Sequence, residues 1–416
     1  MTSVLANALD PRSNALNFLR LVLASMVIFG HAAVLSGVAL PGPLAVALSE
    51  LPVDGFFAVS GYLIARSWDR NPEWRTFLWH RGLRILPAFW VCLALTAVVI
   101  APIATTLSGQ SVDGYWTASD GPGAYVVRNA ALWMGQYQIS GGPNGIPVTD
   151  TWDGSLWTLG WEFLCYLGIA VIGCLGIISA RRAFLPWILL LVWLVNVAGA
   201  ICAATGKFAG LAEHVKPMDR FALMFIAGAV LYAYQDRIPM RRGLAFVSVT
   251  LVGLGLVALD DYRVVGGIAL AYLMLWLGAT LPIRLGMTND VSYGIYIYGF
   301  PIQQSLVMLG VGGIGWFAFA IVGLTATVPL AVMSWWLIER PSLRLKGSVP
   351  HEQRGQESVE VSLVTSDGGE RAPRTATDSR LGVTKNAAVA VTAPVLTTVF
   401  MFVLFAAYYV LGTARA

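Results

Sequence analysis

Arg20 and His31 stand eleven positions apart, with only apolar or small residues and Ser25 between them. In a helix that interval turns through roughly 1,100°, about 20° past three full turns. The two side chains therefore share one face, about 16 Å apart along the axis. A guanidinium on that face can hold an anion, and an imidazole above it can take and return protons near neutral pH. Ionisable groups are costly inside an apolar helix and mark functional sites by default. The competing readings are a snorkelling arginine and a histidine hydrogen-bonded to a neighbouring helix. The shared face and the wider pattern favour chemistry.

A second cluster is His80-Arg81-Gly82-Leu83-Arg84-Ile85-Leu86-Pro87. Arg81 and Arg84 are three apart, hence neighbours on a helix face. With Arg20 they would form a forked cationic site suited to phosphate groups. Taken alone, ordinary flanking charge explains them as well, and no glycine-rich phosphate loop is present. Two acids complete the set. Asp54 opens one apolar stretch in Val53-Asp54-Gly55-Phe56, and Glu162 lies inside another in Trp157-Thr158-Leu159-Gly160-Trp161-Glu162. Either carboxylate could orient His31 as a base-positioning acid does. A structural ion pair, or a helix N-cap for Asp54, is the alternative.

These groups need apolar helices to hold them. The chain is 57% hydrophobic and 12% charged, with a mean hydropathy of +0.68. Soluble domains carry about 25% charged residues, so the excess apolar surface is expected to face lipid. Candidate spans are 15–37, 51–67, 83–104, 156–178, 184–204, 220–235, 243–259, 264–282, 291–309 and 314–338. The expected fold is an all-α integral membrane bundle of ten core helices, with an eleventh helix near 392–412. Residues 1–346 would form the transmembrane domain, 347–390 a polar, disordered cytoplasmic linker, and 391–416 an accessory helix. Arg12 to Ser36 is too long an apolar unit for a cleaved leader.

Loop charge gives an orientation. With the N-terminus inside, Arg12, Arg66, Arg70, Arg75, Arg81, Arg84, Arg181, Arg182, Arg237, Arg241, Arg242, Arg284, Arg340, Arg344 and Lys346 are cytoplasmic. The opposite loops hold Arg128, Lys207, Lys216, Arg220 and Arg263. That bias predicts a cytoplasmic N-terminus. The net charge of +4 reflects this bias rather than a nucleic-acid partner. Segment 105–155 becomes the main outer loop, functional or disordered by its length. It carries Asp113, Trp116, Asp120, Asp150, Trp152 and Asp153. Exposed Trp and Asp suit sugar contacts, and Trp152 is the expected acceptor contact. An interfacial aromatic belt explains Trp152 and Trp157 about as well. Cys92, Cys165, Cys174 and Cys202 all lie in apolar stretches and read as packing residues, with no metal site indicated.

Together these residues resemble the acyltransferase-3 family of membrane acyltransferases. The resemblance rests on Asn17-Phe18-Leu19-Arg20 with His31; Phe56-Phe57-Ala58-Val59-Ser60-Gly61-Tyr62; and Arg81-Gly82-Leu83-Arg84-Ile85-Leu86-Pro87. It extends to Ser155-Leu156-Trp157-Thr158-Leu159 with Glu162, to Ser292-Tyr293-Gly294-Ile295-Tyr296, and to Glu339-Arg340-Pro341. It covers residues 14–345, and the order and spacing of the pieces make it specific. It implies transfer of acetyl or another acyl group from acyl-CoA, a co-substrate rather than a resident cofactor, to hydroxyls of extracellular or envelope glycans. It also implies that His31 acts in catalysis and that Arg20, Arg81 and Arg84 contact the donor. Glu339 matches the family's acidic residue near the last core helix and is expected to position those arginines. Many relatives have a histidine where this chain reads Tyr298-Gly299-Phe300. That group is either not required here, or its task falls to Tyr296 or Tyr298.

The expected partners are acyl-CoA, a glycan or lipid-linked sugar acceptor, the lipid bilayer and other polysaccharide biosynthesis proteins. The expected location is a bacterial plasma membrane. The alternative is a transporter or flippase of a lipid-linked sugar, which intramembrane charges would also suit. The sequence shows no inverted repeat or paired broken helices in its favour.

Overall fold

A computed structural model describes residues 3–10, 13–206, 209–284 and 289–348. Helices occupy all ten expected stretches. They are α1 (Leu16–Leu35), α2 (Leu51–Arg70), α3 (Trp74–Leu95), α4 (Trp157–Cys174) and α5 (Leu185–Thr205). There follow α6 (Ala209–Ala233), α7 (Arg242–Ala258), α8 (Arg263–Thr280), α9 (Ser292–Met308) and α10 (Trp316–Ser334). Among the described residues there is no β-strand, only two isolated bridges. The fold is all-helical. The expected eleventh helix, and the polar linker from residue 349 onward, lie outside the described residues.

Seven helical stretches among the described residues are long and apolar enough to cross a bilayer. They include α3 with its continuation to Leu107, a 34-residue stretch, and α10 with its continuation to Gly347. These make the chain a multi-pass membrane protein. Helix α7 is apolar but has 17 residues, about 25 Å at 1.5 Å per residue. That is short of the roughly 20 residues a crossing needs. Helix α9 is equally short and far more polar, with Ser292, Tyr293, Tyr296, Tyr298, Gln303 and Gln304 all buried. It tolerates them because protein, not lipid, surrounds it: α1 and α10 pack on it and on each other. Pro301 inside α9 has no N–H, which removes the helical partner of the Ile297 carbonyl. The Cys92 thiol of α3 lies 3.3 Å from that oxygen and donates to it. Cys92 thus satisfies a freed backbone group as well as filling space.

Helices α2 and α6 meet backbone to backbone. A Cβ built on Gly61 would fall 1.9 Å from the Phe225 carbonyl oxygen, and one on Gly228 2.0 Å from that of Ala58. Small residues at such a seam let membrane helices close on each other. Gly61→Ala or Gly228→Ala must push the two helices apart, and overpacking of this kind costs about 1–3 kcal/mol. Both variants are expected to melt below wild type in detergent. Gly168→Ala, where nothing lies within 4 Å of the added Cβ, should not.

The 108–156 segment is ordered by its own side chains. Asn129 is fully buried; its Oδ1 accepts from the Gly135 and Gln136 amides at 2.8 and 3.0 Å, and its Nδ2 donates to the Gln136 carbonyl at 2.7 Å. Gln304 of α9 donates to the carbonyls of Val148 and Thr151, at 2.7 and 2.8 Å, and ties the end of the segment into the bundle. From there Asp153 reaches the thiol of Cys92 at 3.8 Å. Its Oδ1 accepts from both the amide and the hydroxyl of Ser155, at 2.9 and 2.6 Å, just before α4 begins.

Candidate active site

Three adjoining cavities run along one face of α2. That face is written in the i, i+3, i+4, i+7 spacing of Val53, Phe56, Phe57, Ser60, Leu63, Ile64, Ser67 and Arg70. The first cavity, about 430 Å³, lies between Val53, Phe56, Phe57 and Ser60 of α2, Thr158, Leu159 and Glu162 of α4, and Tyr293 and Tyr296 of α9. Arg20 closes one end of it. The second, about 480 Å³, shares Arg20, Ser60, Glu162 and Tyr293 with the first, and adds Arg81, Arg84 and Tyr166. The third, about 850 Å³, meets the second at Leu63 and contains Arg66, Arg70 and His80. The groove passes from aromatic and hydroxyl groups at one end to guanidiniums at the other.

Five of the nine residues singled out by sequence line this groove: Arg20, Arg81, Arg84, Glu162 and Tyr296. The arginines are organised by a residue the sequence reading missed. Oδ2 of Asp290, in the turn before α9, accepts from Arg20 Nη1 and from Arg84 Nη2, each at 2.5 Å. Its Oδ1 accepts from the Ser292 hydroxyl at 2.5 Å and the Ser292 amide at 3.2 Å. Arg84 also reaches Glu339 at 3.5 Å, and Glu339 accepts from Ser334 at 3.1 Å. Glu339 therefore stands behind Arg84. Arg81 differs. It donates to Ser67 at 3.3 Å, forms no ion pair among the described residues, and its buried Nε has no partner there.

Burial by itself raises the Asp290 carboxyl; the charges of Arg20 and Arg84 outweigh it, with help from Ser292, and hold it down at about 2. A folded-state value below the usual carboxylate value of about 3.9 means stability that is present above that pH. It is lost as pH falls through the folded value. Asp290→Asn is expected to melt well below wild type at neutral pH. The gap should close between about pH 4 and pH 2, read by melting curves of the two proteins in detergent.

Glu162 accepts from the Tyr166 hydroxyl one turn away and from Ser60 at 3.4 Å, and no cation pairs with it among the described residues. The Tyr296 hydroxyl donates to the Ser155 carbonyl at 3.0 Å and lies 2.5 Å from Thr158 Oγ1, which fixes it at the apolar end of the groove. His31 lies outside all three cavities. It is partly exposed, and its ring meets the edge of Phe300 at 5.0 Å between centroids. Phe300 is one turn along α9 from Tyr296, so the ring that His31 packs on and a hydroxyl of the groove share one stretch of α9. No hydrogen bond or ion pair joins His31 to Asp54 or Glu162 among the described residues, and packing on Phe300 takes the place of the expected carboxylate.

Two expectations need correction. Asp54 is fully buried, and both its oxygens are taken: Arg220 donates to Oδ1 at 2.7 Å, and Arg263 and Tyr262 donate to Oδ2 at 2.7 and 2.5 Å. Arg263 in turn holds Glu50 at 2.5 Å and Asp261 at 2.9 Å. Asp54 is thus the centre of an ion network that ties α2, α6 and α8 together. It also turns Arg220 and Arg263, read as loop charges, into buried structural groups. Trp152 is 1% exposed, and its Nε1 has no partner among the described residues. It packs inside the 108–156 segment and offers no stacking face. Trp116 and Trp133, 59% and 56% exposed, are the tryptophans that segment presents outward.

Residues 13–336 match a family model described as an acyltransferase domain. The match spans well over half of the chain, and the protein belongs to this acyltransferase family. An O-acetyl transferase of Shigella phage Sf6 is 27% identical over 343 residues, covering 79% of this chain and 96% of the relative. Nodulation protein 10 of Rhizobium leguminosarum bv. viciae is 26% identical over 366 residues, covering 81% and 95%. No solved structure matches the chain. The protein is a membrane-embedded acyltransferase, which sets aside the transport alternative.

Proposed function

We propose that this enzyme transfers an acyl group, acetyl by preference, from cytoplasmic acyl-CoA to a hydroxyl of an extracellular or envelope glycan. The observation that carries the donor is the graded groove: guanidiniums clustered toward one end, and a chamber walled mostly by apolar and hydroxyl-bearing side chains at the other. A CoA thioester has the same gradient, with phosphates at one end and a thin neutral arm ending in the thioester. Acetyl is favoured because the phage relative is described as an O-acetyl transferase and because the chamber is small and walled by Phe56, Phe57 and Leu159. The N-terminus lies in the cytoplasm of a bacterial plasma membrane, as loop charge indicates, so the cationic end faces the CoA pool.

In the reaction Arg81 holds donor phosphate, and Arg20 and Arg84, fixed by Asp290 and Glu339, set the potential around it. His31 takes the proton of the acceptor hydroxyl as its oxygen attacks the thioester carbonyl. Tyr296 or Thr158 donates a hydrogen bond to the developing oxyanion. The acyl oxygen bond forms, the carbon–sulfur bond breaks, and the thiol of CoA leaves with the proton. Trp116 and Trp133 present the outward aromatic surface for a sugar. The test is mass spectrometry of envelope glycans from cells carrying wild type, a null allele or His31→Ala at matched protein level. An acyl mass shift absent from both mutants is expected. A glycan that keeps its acyl groups in the null would overturn the acceptor assignment.

A further inference from the structure

The third cavity is not needed to explain chemistry at the thioester, yet two arginines line it and no carboxylate does. It opens between the end of α2 and the start of α3, where Arg66 and Arg70, one turn apart, face His80. Neither arginine forms an ion pair among the described residues, whereas Arg20 and Arg84 in the neighbouring cavity are both held by Asp290. The acids of this region do not line the cavity: the Glu73 carboxylate accepts from the Arg75 and Thr76 amides at 2.9 and 2.5 Å and caps α3, and Asp69 accepts from the Tyr232 hydroxyl at 2.7 Å. His80 is held by the Lys346 carbonyl at 3.2 Å from its Nε2, so that nitrogen carries the proton. The charged side chains lining the cavity are thus cations without anions.

Along α2 the cations fall at two separate levels. Arg81 and Arg84 lie beside Ser60 and Ile64, and Arg66 and Arg70 lie beyond Leu63. From Val53 to Arg70 the groove follows α2 for about 26 Å. A ligand that fills it must carry two anionic loci in sequence, followed by an uncharged arm. A lipid-linked phosphate carries its charge at one locus only.

We propose that the third cavity binds the phosphomonoester of a nucleotide, the 3′-phosphate of CoA, through Arg66 and Arg70, while Arg81 serves the diphosphate nearer the arm. This rests on the donor proposed above. The test compares binding of CoA and 3′-dephospho-CoA to the full-length protein in nanodiscs, by calorimetry. Wild type is expected to prefer CoA by roughly tenfold or more, the usual worth of charge-assisted hydrogen bonds. In Arg66→Ala/Arg70→Ala the preference should fall to near unity, and Arg66→Lys/Arg70→Lys should keep most of it. Dephospho-CoA binding by the alanine variant shows that it is folded. If wild type binds both ligands equally, or the alanine variant keeps the preference, this inference fails and the donor stands. If wild type binds neither, the donor reading fails and takes the inference with it.

Discussion

His31→Ala protein is expected to transfer acyl groups about 10²–10⁴-fold more slowly than wild type, the usual contribution of a positioned general base. Its affinity for CoA should hardly change, because all three donor cavities lie clear of the imidazole. The loss therefore belongs in kcat and not in the KM for donor. His31 is placed for this role by what surrounds it: it is partly exposed, packed on Phe300, and paired with no carboxylate among the described residues. The measurement is transfer of labelled acetyl from acetyl-CoA to isolated glycan by purified protein. A His31→Ala enzyme that retains the wild-type kcat would move the base elsewhere, with Glu162 next in line as the unpaired acid of the groove.

Asp54→Ala should produce an equally large effect of a different kind. Removing this carboxylate takes the fully buried partner from two guanidiniums, those of Arg220 and Arg263, and leaves them Glu50 and Asp261 at the edge of the network. Breaking a buried pair from one side costs about 3–5 kcal/mol where the remaining charge is uncompensated, and the acids that remain here offset part of that. The variant is expected to be recovered in low yield and to melt far below wild type. Asp54→Asn, which keeps the shape and some hydrogen bonds, should fall between them. Folded Asp54→Asn protein should transfer acyl groups at near the wild-type rate per molecule. A normal melting curve with lost transfer would instead return Asp54 to the catalytic set. Glu162→Gln should show the reverse pattern, with normal melting and slower transfer.

The helices were legible because apolar runs of membrane length are long and one-sided in composition, and all ten stretches carry a helix. What hydropathy could not give is which helices sit inside others. The polar character of α9 lowers its hydropathy, yet it makes the central helix the one that carries Tyr293 and Tyr296 into the groove. Arg20 and His31 were read onto one helix face; Arg20 lines the groove, whereas His31 packs against Phe300 and is not among the lining residues. Position in the chain revealed that Arg81, Arg84 and Glu339 belonged together only through a family pattern. The Arg84–Glu339 contact joins residues 255 apart, and no local spacing encodes that.

Asp54 was misread because a carboxylate near a helix start has the same sequence signature whether it caps, pairs or catalyses. Only its partners, from α6 and α8, decide. Asp290 was missed although a local signal exists. Asp290-Val291-Ser292 and Asp153-Gly154-Ser155 repeat one pattern, in which the carboxylate accepts from both the amide and the hydroxyl of a serine two residues on. Each stands at a helix entrance to the site. Trp152 was taken as exposed because loops of that length tend to be, whereas Asn129, Gln136 and Gln304 give this one an interior.

The backbone seam between α2 and α6 has a mechanical consequence. With the Gly61 and Gly228 positions pressed against the carbonyls of Phe225 and Ala58, no cushion of side chains separates the two helices. Sliding α2 along its axis would drive α-carbons across carbonyl oxygens. The rungs that α2 presents to the groove, from Val53 to Arg70, therefore keep a constant spacing, like the marks on a gauge. A ligand lying along them is measured against a fixed scale, and one that is a bond or two too long finds the far wall instead of a yielding one.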